Sequence, residues 1–410
     1  MGLNDTPRGE RLHIALFGKR NAGKSSIINA LTNQNIAIVS DQKGTTTDPV
    51  YKAMELLPLG PVVIIDTPGL DDEGDLGLLR VKKAKEVLDK TDVALIVIDV
   101  AAGISSFEDE LIAEMKAKKV PFLLLLNKID LLSENEDKNE FKNSLSDKYE
   151  STTLYVSAFT GDGIHELKEE LGKYEKTREG QEKRIVADLL EPGDFVVLVV
   201  PIDKAAPKGR LILPQQQTIR DILDAGAVSI VCRDTELADT LERLGEKPKL
   251  IITDSQAFGK VSKIVPRDML LTSFSILFAR YKGELADLVE GARTLNKLED
   301  GDKILMAEGC THHRQCDDIG TVKIPNWIRQ YTKKDIVIET SSGTGFPEDL
   351  TPYKMVVHCG GCTLNEKEMK SRIARAKEQE IPMVNYGILI AYMNGILERS
   401  VEPFEDIIKL

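Results

Sequence analysis

The stretch "HIALFGKRNAGKSSIINAL", residues 13–31, reads as an apolar strand, a glycine-bearing loop and the opening of a helix. Gly18-x4-Gly23-Lys24-Ser25 has the spacing of a phosphate-binding loop, in the strand–loop–helix context that such a loop requires. Its glycines let backbone N–H groups approach phosphate oxygens at a helix N-terminus. Lys24 can reach the β and γ oxygens, and Ser25 offers a hydroxyl to magnesium. Gly18, Asn21, Ala22, Gly23, Lys24, Ser25 and Ser26 are therefore candidate nucleotide ligands.

Three further stretches follow in order, and together they specify the base. "VVIIDTPG" (62–69) puts Asp66 at the end of an apolar strand, where it can hold a magnesium shell, and leaves the Gly69 N–H for a γ-phosphate. "FLLLLNKID" (122–130) ends another strand with Asn127, Lys128 and Asp130. A carboxylate at Asp130 suits the N1–H and N2 amine of guanine, and charge-assisted bonds of this kind are worth about 1.5–3 kcal/mol each. "VSAF" (156–159) supplies Ser157 and the Ala158 N–H for the guanine carbonyl. The expected ligand is GTP with Mg2+, the metal held by Ser25, Asp66 and a switch threonine. "GTTTD" (44–48) provides Thr45 and Thr46 for that switch.

The position after Gly69, where Ras-like enzymes carry a glutamine that orients water, is Leu70. With this departure and the threonine-rich switch, the first 175 residues resemble the TrmE–Era group of GTPases. That resemblance implies a potassium ion held by Asn21, slow intrinsic hydrolysis stimulated by K+, and Lys24, Asn21, Thr46 and Gly69 as the catalytic set. The group's usual arginine in the switch is Thr47 here.

At 410 residues the chain is too long for one core. It is 42% hydrophobic and 29% charged, with no run of eighteen or more apolar residues, so no membrane span is expected. A net charge of −12 argues against a partner made of phosphate backbones, and no nucleic acid is expected. Five cysteines, an odd number clustered late, do not make a disulfide framework; reducing cytosol is the expected setting.

After a charged stretch, "DFVVLVVP", "AVSIVCRD" and "KLIITD" read as buried parallel strands, with helices "QQTIRDILDAG" and "TELADTLERLG" between them. No catalytic constellation appears there, and Cys232 reads as a core thiol. From about residue 266 come a helical stretch, "LTSFSILFARYKGELADLVEGARTL", and then the strand-like runs "DKILMAEG", "DIVIET", "YKMVVHCGG" and "PMVNYG". The expected fold is α/β: a P-loop GTPase domain (1–175), then two smaller parallel α/β domains, one of dimerisation type (180–265) and one metal-binding (266–410).

The metal expectation rests on "GCTHHRQC" (309–316) and "HCGGC" (358–362), which hold four of the five cysteines. Both follow strand-like runs, and ligand sites in open parallel sheets gather at the carboxyl ends of strands. Cys310 and His312 would thus meet Cys359 and Cys362 at one rim. Cys316 and His313 read as surface or supporting residues. On ligand chemistry alone a structural zinc and an iron–sulfur cluster fit equally.

Taken whole, the GTPase motifs, the α/β middle and Cys-x-His followed by His-Cys-x-x-Cys resemble the HydF family of FeFe-hydrogenase maturation GTPases. That resemblance implies a 4Fe-4S cluster on Cys310, Cys359 and Cys362, with His312 and His358 at the motif's histidine places. It also implies a scaffold that carries a transient two-iron precursor. Its implied partners are two radical-SAM hydrogenase maturases and the apo FeFe-hydrogenase, and its implied assembly is a homodimer or higher. The alternative reading is an Era-like RNA-associated GTPase with a zinc-stabilised C-terminal domain.

Overall fold

The apolar runs of the first 160 residues become the strands of one sheet because they are buried from both sides. The computed structural model describes residues 6–32, 48–69, 75–132, 138–179, 183–201, 211–309, 318–343 and 345–407, and the chain divides into two units, Met1–Glu182 and Lys183–Leu410. In the first unit β1 (Leu12–Phe17) leads into α1 (Lys24–Thr32), β2 (Val50–Leu56), β3 (Gly60–Asp66) and α2 (Asp75–Leu88). The chain continues through β4 (Val93–Asp99), α3 (Ser106–Ala117), β5 (Phe122–Asn127), α4 (Lys138–Tyr149), β6 (Thr153–Tyr155) and α5 (Ile164–Glu179).

The sheet order is β2-β3-β1-β4-β5-β6, parallel throughout except for β2, which runs antiparallel to β3. Every residue of β1 and β5 is buried, so neither strand alternates in polarity. Leu12, Ile14 and Leu16 pack on one face with Ile27 and Leu31; Ala15 and Phe17 pack on the other with Val87 and Ile112. Each full burial of such a side chain contributes about 1.5–3 kcal/mol, which makes these inner strands the rigid frame for the loops at their ends.

The second unit begins with β7 (Phe195–Val199), α6 (Leu213–Asp224), β8 (Val228–Cys232), α7 (Leu237–Leu244), β9 (Leu250–Thr253), α8 (Phe258–Ile264) and β10 (Leu271–Ser273). Helices α9 (Phe274–Lys282) and α10 (Leu285–Ala292) lead to β11 (Lys303–Glu308), α11 (Ile324–Thr332), β12 (Val337–Ser342) and β13 (Met355–His358). The chain closes with α12 (Glu366–Glu378), β14 (Met383–Asn385), α13 (Tyr386–Met393) and α14 (Leu397–Val401). Two four-stranded parallel sheets result, ordered β10-β9-β7-β8 and β12-β11-β13-β14. The fold class expected from the sequence is the one observed: a P-loop GTPase domain followed by two parallel-sheet α/β domains.

One stretch departs from its expected form. "LTSFSILFAR" reads as helix throughout, but Leu271–Ser273 pair in parallel with β9 as a buried edge strand. Ser273 then caps α9, its Oγ accepting from the Ile276 N–H at 3.3 Å. Tertiary pairing overrides the helical pattern for these three residues, as it often does in so short a segment.

The two sheets of this unit share one core. Arg399, buried on α14, donates to the carbonyls of Ser262 (3.1 Å), Val265 (2.9 Å) and Pro266 (2.6 Å), and Thr272 Oγ1 donates to Ser400 O at 2.8 Å. The end of the chain is thereby tied to the first sheet. Arg399→Ala strands these carbonyls and should destabilise the second unit by about 2–4 kcal/mol. The chain's single tryptophan, Trp327, packs on this core, so the urea midpoint of its fluorescence reports the unit directly. An unchanged midpoint would show that the tie contributes nothing.

Candidate functional site

The loop between β1 and α1 lies where the sequence puts it. Lys24, the first residue of α1, is buried and donates from Nζ to Gly18 O at 2.9 Å and Lys19 O at 2.8 Å. Gly23 has φ +98°, and a Cβ there would lie 2.1 Å from Asn127 Nδ2, so a side chain is excluded by both conformation and space. Asn21 is exposed with φ +59°, a left-handed conformation that asparagine tolerates better than most residues. Gly69 approaches the loop from β3: a Cβ there would sit 2.7 Å from Arg20 Cα.

Ser25 Oγ donates to Asp66 Oδ2 at 2.7 Å. The other carboxylate oxygen, Asp66 Oδ1, is buried without a hydrogen-bond partner among the described residues. Burial pushes the Asp66 carboxyl above its ordinary range, while the Ser25 bond and the Lys24 charge pull it back. A hydroxyl beside an orphaned carboxylate oxygen is a hard-oxygen donor set, and it fits magnesium. Thr45 and Thr46, the expected switch ligands, and Leu70 lie outside the described residues.

Asn127 joins the two halves of the nucleotide site. Its side chain is buried; Nδ2 donates to Ala22 O at 2.8 Å, and Oδ1 accepts from the Ala158 N–H at 3.2 Å. Asp130 Oδ1 accepts from Ser157 Oγ at 2.6 Å, which aims the carboxylate. Lys128, at φ +68°, pairs with Asp99 Oδ2 at 2.6 Å. Burial raises the Asp99 carboxyl, but its bonds with Lys128 and the Ala101 N–H outweigh that and leave it below the usual range. Asp99 and Thr67, whose Oγ1 donates to Leu16 O at 2.6 Å, were not among the residues singled out from the sequence. Both stand at strand ends, and that position was the available signal. Ser26 follows Ser25 on α1, half-buried.

The second candidate site is at the carboxyl ends of β11 and β13, which are neighbours in the sheet, Ala307 opposite His358. The Cys359 N–H donates to Ala307 O at 2.8 Å. Cys359 Sγ accepts from the N–H groups of Gly309 (3.1 Å) and Gly361 (3.4 Å). Cys359 and Cys362 are both half-buried. Burial pushes the Cys362 thiol up, opposed by the charge of Lys282. Cys310 and His312 lie outside the described residues, as do His313 and Cys316, and no group of three or more metal-binding side chains occurs among the described residues. Backbone N–H groups aimed at a sulfur favour a thiolate, and two cysteines on one glycine turn form a chelating pair, so the donors present fit a soft metal centre.

His358 is placed differently from its expected role. It is fully buried, Nδ1 donates to Cys359 O at 2.7 Å, and Nε2 lies 3.0 Å from Arg372 Nη1. A carbonyl only accepts, so the proton is on Nδ1, and the Nε2 lone pair is taken by the guanidinium. As placed, the ring has no lone pair for a metal and serves the packing of β13 against α12. Burial, with the Arg372 charge beside it, pushes its pKa down to about 3. Arg372 also donates to Gly343 O (2.7 Å) and Glu368 Oε1 (2.8 Å), a buried network with no clear mark in the sequence. Lys282, buried at the end of α9, had a signal: with Phe274 and Phe278 it falls at i, i+4 and i+8, on the helix's buried stripe.

Comparison with known proteins finds three consecutive matches along the chain. Residues 13–128 match the 50S ribosome-binding GTPase family, residues 185–283 the Hydrogen maturase F dimerization domain, and residues 286–403 the Hydrogen maturase F tetramerization domain. GTPase Der of Xanthomonas oryzae pv. oryzae is 31% identical over 279 residues, covering 67% of this chain and 57% of the relative. The tRNA modification GTPase MnmE of Desulforamulus reducens is 37% identical over 161 residues, covering 39% of this chain and 34% of the relative. The chain thus spans 57% and 34% of the length of these two relatives. Among solved structures, a point variant of Aquifex aeolicus Era bound to GDP.AlF4− aligns with a TM-score of 0.37 at 21% identity, covering 54% of this chain and 92% of that one. The dimerization and tetramerization domains together take up more than half of the chain, downstream of a P-loop GTPase domain. The chain belongs to the hydrogen maturase F family of hydrogenase-maturation GTPases.

Proposed function

We propose that this chain is a GTP-hydrolysing scaffold that binds a 4Fe-4S cluster on Cys310, Cys359 and Cys362 and assembles or hands on the two-iron precursor of the FeFe-hydrogenase active site. Two radical-SAM maturases would supply that cargo and the apo-hydrogenase would receive it. The observation that carries the reading is the Gly309 N–H held 3.1 Å from Cys359 Sγ across adjacent strands. It brings the residue preceding Cys310 to the thiol of the downstream motif. A dimer or higher assembly goes with the two oligomerization domains. Among the described residues no helix is long and apolar enough to cross a membrane.

In the GTPase domain the loop 18–23 and the start of α1 cradle the phosphates with backbone N–H groups, and Lys24 exchanges its loop carbonyls for β and γ oxygens. Ser25 and Asp66 would hold magnesium, which supplies positive charge between the phosphates when bound. Thr46 completes this shell in the proposal, the Gly69 N–H steadies the γ-phosphate, and Asp130 with Ala158 reads guanine. Leu70 cannot orient water as a glutamine would, so intrinsic hydrolysis would be slow; Asn21 would hold a potassium ion that supplies positive charge when bound. In the C-terminal domain three thiolates would anchor the cluster, which supplies an iron free of cysteine where cargo can exchange. His312 remains a proposed exchangeable ligand. His358 would reach iron only by giving up Arg372, so its proposed part is smaller.

Three outcomes test these assignments. Asp130→Asn should exchange GTP preference for xanthosine triphosphate by at least tenfold in kcat/KM, because an amide complements the altered purine edge; undiminished GTP turnover would remove Asp130 from base recognition. Potassium should raise hydrolysis several-fold over sodium at equal ionic strength, and Asn21→Ala should erase the difference; equal rates in the parent would end the potassium assignment.

The third concerns the metal. Anaerobically reconstituted full-length chain should contain iron and acid-labile sulfide and absorb broadly near ~400 nm, as thiolate-bound iron–sulfur centres do. Each of Cys310→Ser, Cys359→Ser and Cys362→Ser should lose most of that iron while keeping GTP turnover. A colourless parent with stoichiometric zinc, and cysteine variants whose Trp327 signal shows an unfolded domain, would instead mark a structural zinc site.

A further inference from the structure

Lysine is among the residues least often fully buried, yet Lys282 is 2% exposed. It ends α9, where Nζ donates to Leu364 O at 2.8 Å and Cys362 O at 3.3 Å, and it lies 5.8 Å from the centroid of the Phe278 ring. Those two carbonyls belong to the turn that carries Cys362, so the ammonium is fixed against the backbone of a proposed metal ligand. Its charge is felt by the Cys362 thiol. On the same turn, Cys359 Sγ accepts two backbone N–H groups. Fixed donors and a fixed cation thus surround the place where thiolates would gather negative charge.

We infer that Lys282 is the built-in counter-charge of the cysteine turn, a positioning residue that holds the Cys362–Leu364 backbone and stabilises negative charge on the cluster; the assignment rests on the cluster reading above. A cubane on three thiolates becomes more negative when reduced. A nearby buried cation therefore favours the reduced form, and removing it should lower the midpoint potential.

The test uses full-length, anaerobically reconstituted chain, with the parent, Lys282→Arg, Lys282→Gln and Lys282→Met titrated with dithionite and followed by electron paramagnetic resonance. Lys282→Gln keeps a shorter amide donor toward the two carbonyls and loses the charge; Lys282→Met loses both donor and charge. Both neutral variants should bind a cluster at least tenfold harder to reduce at fixed potential, a shift of about 59 mV for one electron, while Lys282→Arg stays near the parent. Lys282→Met should also hold less iron. Trp327 fluorescence checks folding of the domain, and if Lys282→Met is unfolded, Lys282→Gln decides. A folded Lys282→Gln with the parent's potential and iron content would overturn this assignment alone. A parent that takes up no iron and sulfide would overturn the cluster reading, and this assignment with it.

Discussion

Parallel pairing obliges the chain to return to the same edge of a sheet after each strand, and both candidate sites are built from what this leaves at the carboxyl edge. In the GTPase domain β1, β3, β4, β5 and β6 run the same way, so Gly18, Asp66, Asp99, Asn127 and Val156 all reach one rim. In the last domain β11 and β13 do the same for Gly309 and Cys359. Residues 50 apart in sequence meet because a backbone ladder aligns them. The apolar side chains of these strands do no chemistry; they fix the edge from which the functional loops depart.

At each rim a buried polar side chain then joins loops that the ladder only brings near. In the first site it is the carboxamide of Asn127, which bonds the phosphate loop with one atom and the base loop with the other. In the second it is a pair of cations: Arg372 holds His358 and the carbonyl of Gly343, and Lys282 holds the cysteine turn. A buried polar group without such partners would cost about 1–3 kcal/mol, so these contacts are part of the fold as well as of the sites.

Much of this was legible in the sequence, and for identifiable reasons. "FLLLLNKID" and "HIALFG" are continuous apolar runs followed by polar residues with narrow chemical roles, which marks both a buried strand and the loop after it. The spacing of Cys359 and Cys362 was legible as a short turn, and the structure leaves both thiols half-buried there. What escaped were residues whose partners are far along the chain. Leu271–Ser273 form a strand only because β9 offers a ladder. His358 has a ligand's side chain in a ligand's motif, yet the guanidinium of Arg372, fourteen residues on, takes its open nitrogen. Lys282 sat in plain view on an apolar stripe, but its target is a turn 80 residues later.

The posture of Lys24 has a consequence for how this domain discriminates among anions. Its ammonium already donates to the carbonyls of Gly18 and Lys19, so an incoming phosphate competes with the protein's own backbone. Binding is then a swap of acceptors, and the gain is only the margin by which a charged oxygen is the stronger acceptor than a neutral one. A ligand with a single remote negative group gains little from such a swap, whereas a polyphosphate gains at several oxygens together. Two carbonyl oxygens of the loop thus enter the difference between a polyphosphate and a singly charged ligand.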